Sequence, residues 1–148
     1  MKIRVTGITG PNKDELGRAC EFYLSKLMPK ANLSKLDVNV KVVRSITRES
    51  KREAAGEGAI YNLEDTRKRP TKFQIQLKKS LIVKMLQALA HESVHLRQLH
   101  TGKLAHVGET ALWKGMENQS GYFSSPWEKE AYRIEGGLFF SYMEAHYS

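Results

Sequence analysis

The chain has 148 residues, 41% of them hydrophobic and 27% charged, which is enough to bury one core and too apolar for a disordered polypeptide. One cysteine excludes an internal disulfide framework, and no apolar run reaches the length of a membrane span. A net charge of +8 fits either a well-solvated surface or attraction to an anionic partner such as nucleic acid. The basic clusters Lys51-Arg52 and Arg67-Lys68-Arg69 carry no interleaved aromatic of the kind that stacks on bases, which favours the first.

The opening Met1-Lys2-Ile3-Arg4-Val5-Thr6 lacks the apolar stretch of a secretory signal, so a cytoplasmic setting without a membrane partner is expected. Ile3 and Val5 alternate with polar residues and predict a strand within residues 2–8. Asn12 with Glu15 three positions on predicts a capped helix start. Leu16, Cys20, Tyr23 and Leu27 then form its apolar stripe, and Pro29 ends it. On that stripe Cys20 reads as a small buried hydrophobe. Val38, Val40 and Val42 predict a second strand, and residues 47–58 a charged surface loop. Residues 59–63 and 72–77 predict two more strands, joined by a polar turn over 64–70.

From Ser80 the period becomes helical. Ile82, Met85, Leu86, Leu89, Ser93 and Leu96 mark one face of a long helix, with Gly102 as its stop. Residues 103–124 read as irregular. A last helix opens at Ser125-Pro126, with Trp127, Ala131, Ile134, Leu138 and Tyr142 as its buried stripe. The pair Gly136-Gly137 inside it implies a kink or the close approach of another element. No repeat or linker divides the chain, so residues 1–148 read as one α+β domain, and a monomer is expected.

The long helix carries His91-Glu92-Ser93-Val94-His95. Histidines four residues apart differ by about 40° of helical rotation and one turn of rise, so both imidazoles can reach one metal ion. Glu92 lies roughly 100° from His91, where its carboxylate can take a proton from a metal-activated water. Zinc suits imidazole, and three protein ligands leave one position for water. The bland alternative makes these three ordinary helix-surface residues. The core contacts, however, are already supplied by positions 82–96 of the apolar face, and small Ala88 leaves room one turn before His91. A third ligand is needed. His106, Glu128 and Glu130 are all candidates, and helical periodicity does not separate the two glutamates. For the oxyanion of a tetrahedral intermediate, Tyr122 is the first candidate donor and His106 the second, although packing against Trp113 or Phe123 would explain Tyr122 equally well. Gln98, one turn past His95, either lines the site or faces solvent.

His91-Glu92-x-x-His95, followed by Pro126-Trp127-Glu128-Lys129-Glu130-Ala131, resembles the minimal HExxH metallopeptidases of bacteria and phages. The resemblance covers roughly residues 80–140. It implies a zincin fold, with a mainly antiparallel sheet of about four strands under the motif helix. It also implies a glutamate third ligand in a Glu-x-x-Ala pattern, which falls on Glu128 with Glu130 in reserve. Peptide or protein substrates follow, and the strand at 72–77 would border the cleft and align an extended peptide. Where that family often has an aspartate that orients a histidine, this chain has Tyr132. The metzincin pattern is excluded by Gln98 and Thr101. SprT-like proteases are similar in size and basic charge and would use His106, but one cysteine precludes their zinc ribbon.

Overall fold

The alternation of Val38, Val40 and Val42 with Asn39 and Lys41 gives a strand with one apolar face, and that strand sits inside the main sheet. A computed structural model describes residues 1–46, 57–64, 67–107, 110–117 and 125–147. Among these, β1 (Lys2–Thr6), β2 (Asp37–Val43), β3 (Gly58–Asn62) and β4 (Lys72–Lys78) form a four-stranded sheet in the order β1-β2-β4-β3. The register places Val5, Val40, Ile75 and Ile60 side by side across all four strands, every one buried. The opposite face is polar: Thr6 bonds Asn39, and Gln76 bonds Gln74.

The sheet is mixed, not mainly antiparallel. β1 pairs with β2 and β2 with β4 in parallel, and only β3 runs against its neighbour. The crossover between β1 and β2 is the helix α1 (Pro11–Leu27), and a helical crossover returns the chain in the same direction. Gly7 makes the exit from β1 possible. Its φ is +81°, and a Cβ there would stand 2.1 Å from the carbonyl oxygen of Val42.

Helix α1 begins one residue earlier than the expected cap. Pro11 occupies the first turn, where its missing N–H costs nothing, and Gly10 takes the capping position without a side-chain bond. Glu15 is therefore not part of a capping box. It is buried and accepts hydrogen bonds from Tyr142 and Tyr147 at the far end of the chain. Cys20 is fully enclosed, and burial pushes its thiol up to about 12, so it is an inert packing residue. A short helix, α2 (Lys30–Leu33), follows α1 and precedes β2.

Helix α3 (Ile82–His100) carries the expected apolar stripe onto the sheet and α1, where the hydroxyl of Tyr23 donates to the Leu86 carbonyl at 3.0 Å. It ends where Gly102 takes a φ of +78°. The stretch read as irregular instead builds a second, three-stranded sheet from β5 (Leu104–Val107), β6 (Thr110–Trp113) and β7 (Met116–Glu117). Its strands are too short to show periodicity, and Gly115 with a positive φ makes a tight turn between the last two. Helix α4 (Pro126–Tyr147) runs unbroken through Gly136 and Gly137, where an added Cβ would meet nothing within 4 Å. Among the described residues no element comes within 4 Å of a Cβ built on that pair. α4 packs along α3, so α3 is covered by the sheet on one side and α4 on the other. One buried cluster runs from Val5 to Tyr142.

Candidate metal centre

Because α3 is sandwiched, its second face is also buried, and that face carries the motif. His91 and His95 point between α3 and α4, where Glu128 rises from the first turn of α4. Glu128 Oε1 lies 2.9 Å from His91 Nε2 and 3.0 Å from His95 Nε2, and the two nitrogens are 3.1 Å apart. Three ligand atoms thus face one another in a nearly equilateral triangle. Ligands on a tetrahedral zinc ion at about 2.0–2.1 Å would be about 3.3 Å apart, so the triangle is close to the right size. Among the described residues this is the group of histidine and acidic side chains able to hold a metal ion.

The outer nitrogens settle which atoms look inward. His91 Nδ1 lies 2.9 Å from Glu135 Oε1, and His95 Nδ1 lies 2.7 Å from Gln98 Oε1. Both partners are acceptors, so each Nδ1 carries the proton and donates outward. The two Nε2 lone pairs and a carboxylate oxygen then converge on one point, an arrangement that repels itself unless positive charge lies at its centre. The electrostatics agree. Burial opposes charge on His91, yet its bonds to Glu128 and Glu135 outweigh that and push it up to about 10. His95 moves the same way, burial again opposing and the Glu128 bond prevailing. Burial favours the protonated acid of Glu128, but the two imidazoles hold its carboxyl down at about 2. Protons can meet this demand for a cation, and so can one divalent metal ion.

Glu92 is turned to the neighbouring space. It is buried, and burial pushes its carboxyl above the usual range against the pull of the two histidines. Its side chain lies over Gly58: a Cβ on that glycine would come within 3.2 Å of Glu92 Cγ and 3.4 Å of Oε2. A cavity of about 380 Å³ opens here, lined by Gly58, Ala88, His91, Glu92, Tyr132 and Glu135 among others. Ala88 is therefore the small residue beside the centre that the sequence suggested.

The strand at this cleft is β3, the sheet edge, and not β4, which lies inside the sheet. Lys78 N donates to the Glu57 carbonyl and Leu63 N to the Lys72 carbonyl, which fixes the alternation of the β3–β4 ladder. By that alternation the backbone N–H and C=O groups of Gly58, Ile60 and Asn62 point away from β4 toward the open edge.

The other candidates part company. Glu130 is turned away from the triangle onto Lys103, Gln98 and Arg97. His106 lies on β5 and lines a separate cavity with Arg67, Lys68 and Arg69. Tyr122 lies outside the described residues. Glu135 was missed, and Tyr132 was read only as a departure from a pattern. Glu135 accepts from His91 Nδ1, one turn further along α4 than Tyr132. Tyr132 itself lays its ring against His91, with centroids 4.7 Å apart. The signal for Glu135 was its spacing: seven residues after Glu128 is two helical turns, so both face α3.

No family model, curated protein or solved structure matches the chain. No helix among the described residues is long and apolar enough to cross a membrane.

Proposed function

We propose that this chain is a zinc-dependent peptidase of the HExxH type, similar to the zincins whose third ligand is a glutamate. The observation that carries this is the inward-facing triangle of His91, His95 and Glu128, with the buried Glu92 carboxylate beside it at the floor of an open cavity. Two imidazoles and one carboxylate suit zinc and leave a position for water or substrate. A bound zinc ion would supply a water of lowered pKa and polarisation of the scissile carbonyl. Glu92 would be the residue to take a proton from an attacking water and to return it to the leaving amine. The outward N–H and C=O groups of β3 offer an extended peptide a line of backbone hydrogen bonds past Glu92.

The test pairs metal content with hydrolysis of an unfolded protein substrate, in wild type and Glu92→Gln. Near-stoichiometric zinc in both, with hydrolysis confined to wild type, is expected. A fully active Glu92→Gln would sink the proposal.

A second reading, nucleic-acid binding by the basic surface, has one observation behind it. The cavity of about 450 Å³ beside β5 is rimmed by Arg67, Lys68, Arg69 and His106. Binding of single-stranded DNA that weakens steeply with salt, and is lost on neutralising residues 67–69, would establish it.

A further inference from the structure

His91 is oriented by a carboxylate, whereas His95 is oriented by an amide, and the amide is itself held from behind. Gln98 is fully buried. Its Nε2 donates to the Trp127 carbonyl at 3.0 Å and to Glu130 Oε1 at 3.1 Å. Both of those atoms can only accept, so the amide cannot be flipped, and its Oε1 must face His95 Nδ1 at 2.7 Å. Glu130 is fixed in turn by Lys103, whose Nζ donates to Oε2 from the residue just before β5, while Arg97 lies 3.7 Å from Oε1. Lys103 also stands over the Trp113 ring, 4.8 Å from its centroid.

We propose that Gln98, clamped by Glu130 and Lys103, is a positioning residue of the metal centre: it accepts the Nδ1 proton of His95 and so keeps the Nε2 lone pair aimed at Glu128 and His91. The choice of an amide has an electrostatic reason. Glu92, Glu128 and Glu135 already crowd this seam with carboxylates, and a fourth at position 98 would face Glu130 across 3.1 Å. A neutral acceptor orients the imidazole without adding charge. The charge of Glu130, needed to hold the amide, is cancelled on its far side by Lys103.

This inference rests on the metal-centre reading but not on catalysis, so its test is binding and spectroscopy. Zinc affinity is measured by competition with a chelator, and the His95 Nδ1 proton is followed by NMR in 15N-labelled protein, with and without zinc. Gln98→Met should lower zinc affinity by roughly ten- to a hundredfold and expose the Nδ1 proton to rapid exchange. Lys103→Ala, on the surface side of the clamp, should give a smaller loss of the same sign. Gln98→Glu should also weaken binding. Adding Glu130→Gln to it restores an acceptor for His95 and a donor behind it, and should recover most of the loss. A role in packing alone would not be rescued by that exchange of polarity. If the wild-type protein takes no zinc, the metal reading fails, yet a protected Nδ1 proton that Gln98→Met exposes still supports the clamp. Wild-type zinc affinity and an unchanged Nδ1 resonance in Gln98→Met would overturn it.

Discussion

At the scale of single residues, the centre depends as much on an absent side chain as on those present. Gly58 has no Cβ, and the space where one would stand is bordered by Glu92 and by the Gln76 carbonyl oxygen at 3.3 Å. Gly58→Ala should therefore displace the Glu92 carboxylate by a few tenths of an ångström while leaving His91, His95 and Glu128 in place. The expected result is unchanged zinc content with hydrolysis lowered by roughly tenfold, read from steady-state kinetics beside metal analysis. His91 and His95 were legible in the sequence from their helical spacing, whereas Glu128 was singled out from Glu130 only by the Glu-x-x-Ala resemblance. Gly58 was not. It lies 34 residues before Glu92 in sequence, and only the fold brings the edge strand over the helix. Gln98 was visible as a residue one turn beyond His95, but whether it lined the site or met solvent depended on where α4 would pack.

Elements show the same division between local and long-range information. The helical periods of α1, α3 and α4 and the alternation in β2 and β4 were read nearly to the residue. Strand direction was not, because parallel and antiparallel strands with one buried face share one pattern. The capping box assigned to Asn12 and Glu15 failed because Pro11 fits the first turn, and because Glu15 has better partners on α4. Those partners make a prediction. Burial raises the proton affinity of Glu15, but hydrogen bonds from Tyr147 and Tyr142 and the charge of Arg18 outweigh it and hold its carboxyl low. A depressed carboxyl pKa contributes stability above its unfolded value of about 4.3, and that contribution is lost as pH falls through the folded value. Urea melts across this acid range should show wild type losing stability more steeply than Glu15→Gln. The glycine pair of α4 gives a second. Gly136 and Gly137 are exposed and helical, and among the described residues nothing lies within 4 Å of an added Cβ, so alanine at each should stabilise the protein by about 1 kcal/mol, measured by chemical denaturation.

On the scale of the whole molecule, α3 is the element everything else encloses. The main sheet and α1 cover its apolar stripe, and α4 covers the face that carries His91 and His95. An ion held by two residues of α3 and one of α4 would fasten the outer layer to the inner one. Binding to the folded chain alone stabilises it by about 4 kcal/mol at free zinc a thousandfold above Kd. The melting temperature should therefore rise with added zinc and fall with chelator, and His95→Ala should show neither shift. The small second sheet, which the sequence did not predict, matters here through Lys103, which directly precedes its first strand and bonds α4 at Glu130.

The order of the ligands along the chain has a further consequence, one that belongs to biosynthesis. His91 and His95 emerge from the ribosome first, and on a growing chain they could offer an ion only two nitrogens. The carboxylates that complete and orient the set, Glu128 and Glu135, come some 33 to 44 residues later by the spacings of their bonds to His95 and His91. An unfinished or truncated polypeptide thus lacks the full grip. Any metal this protein acquires is secured only after the last helix has been made and has closed over the motif.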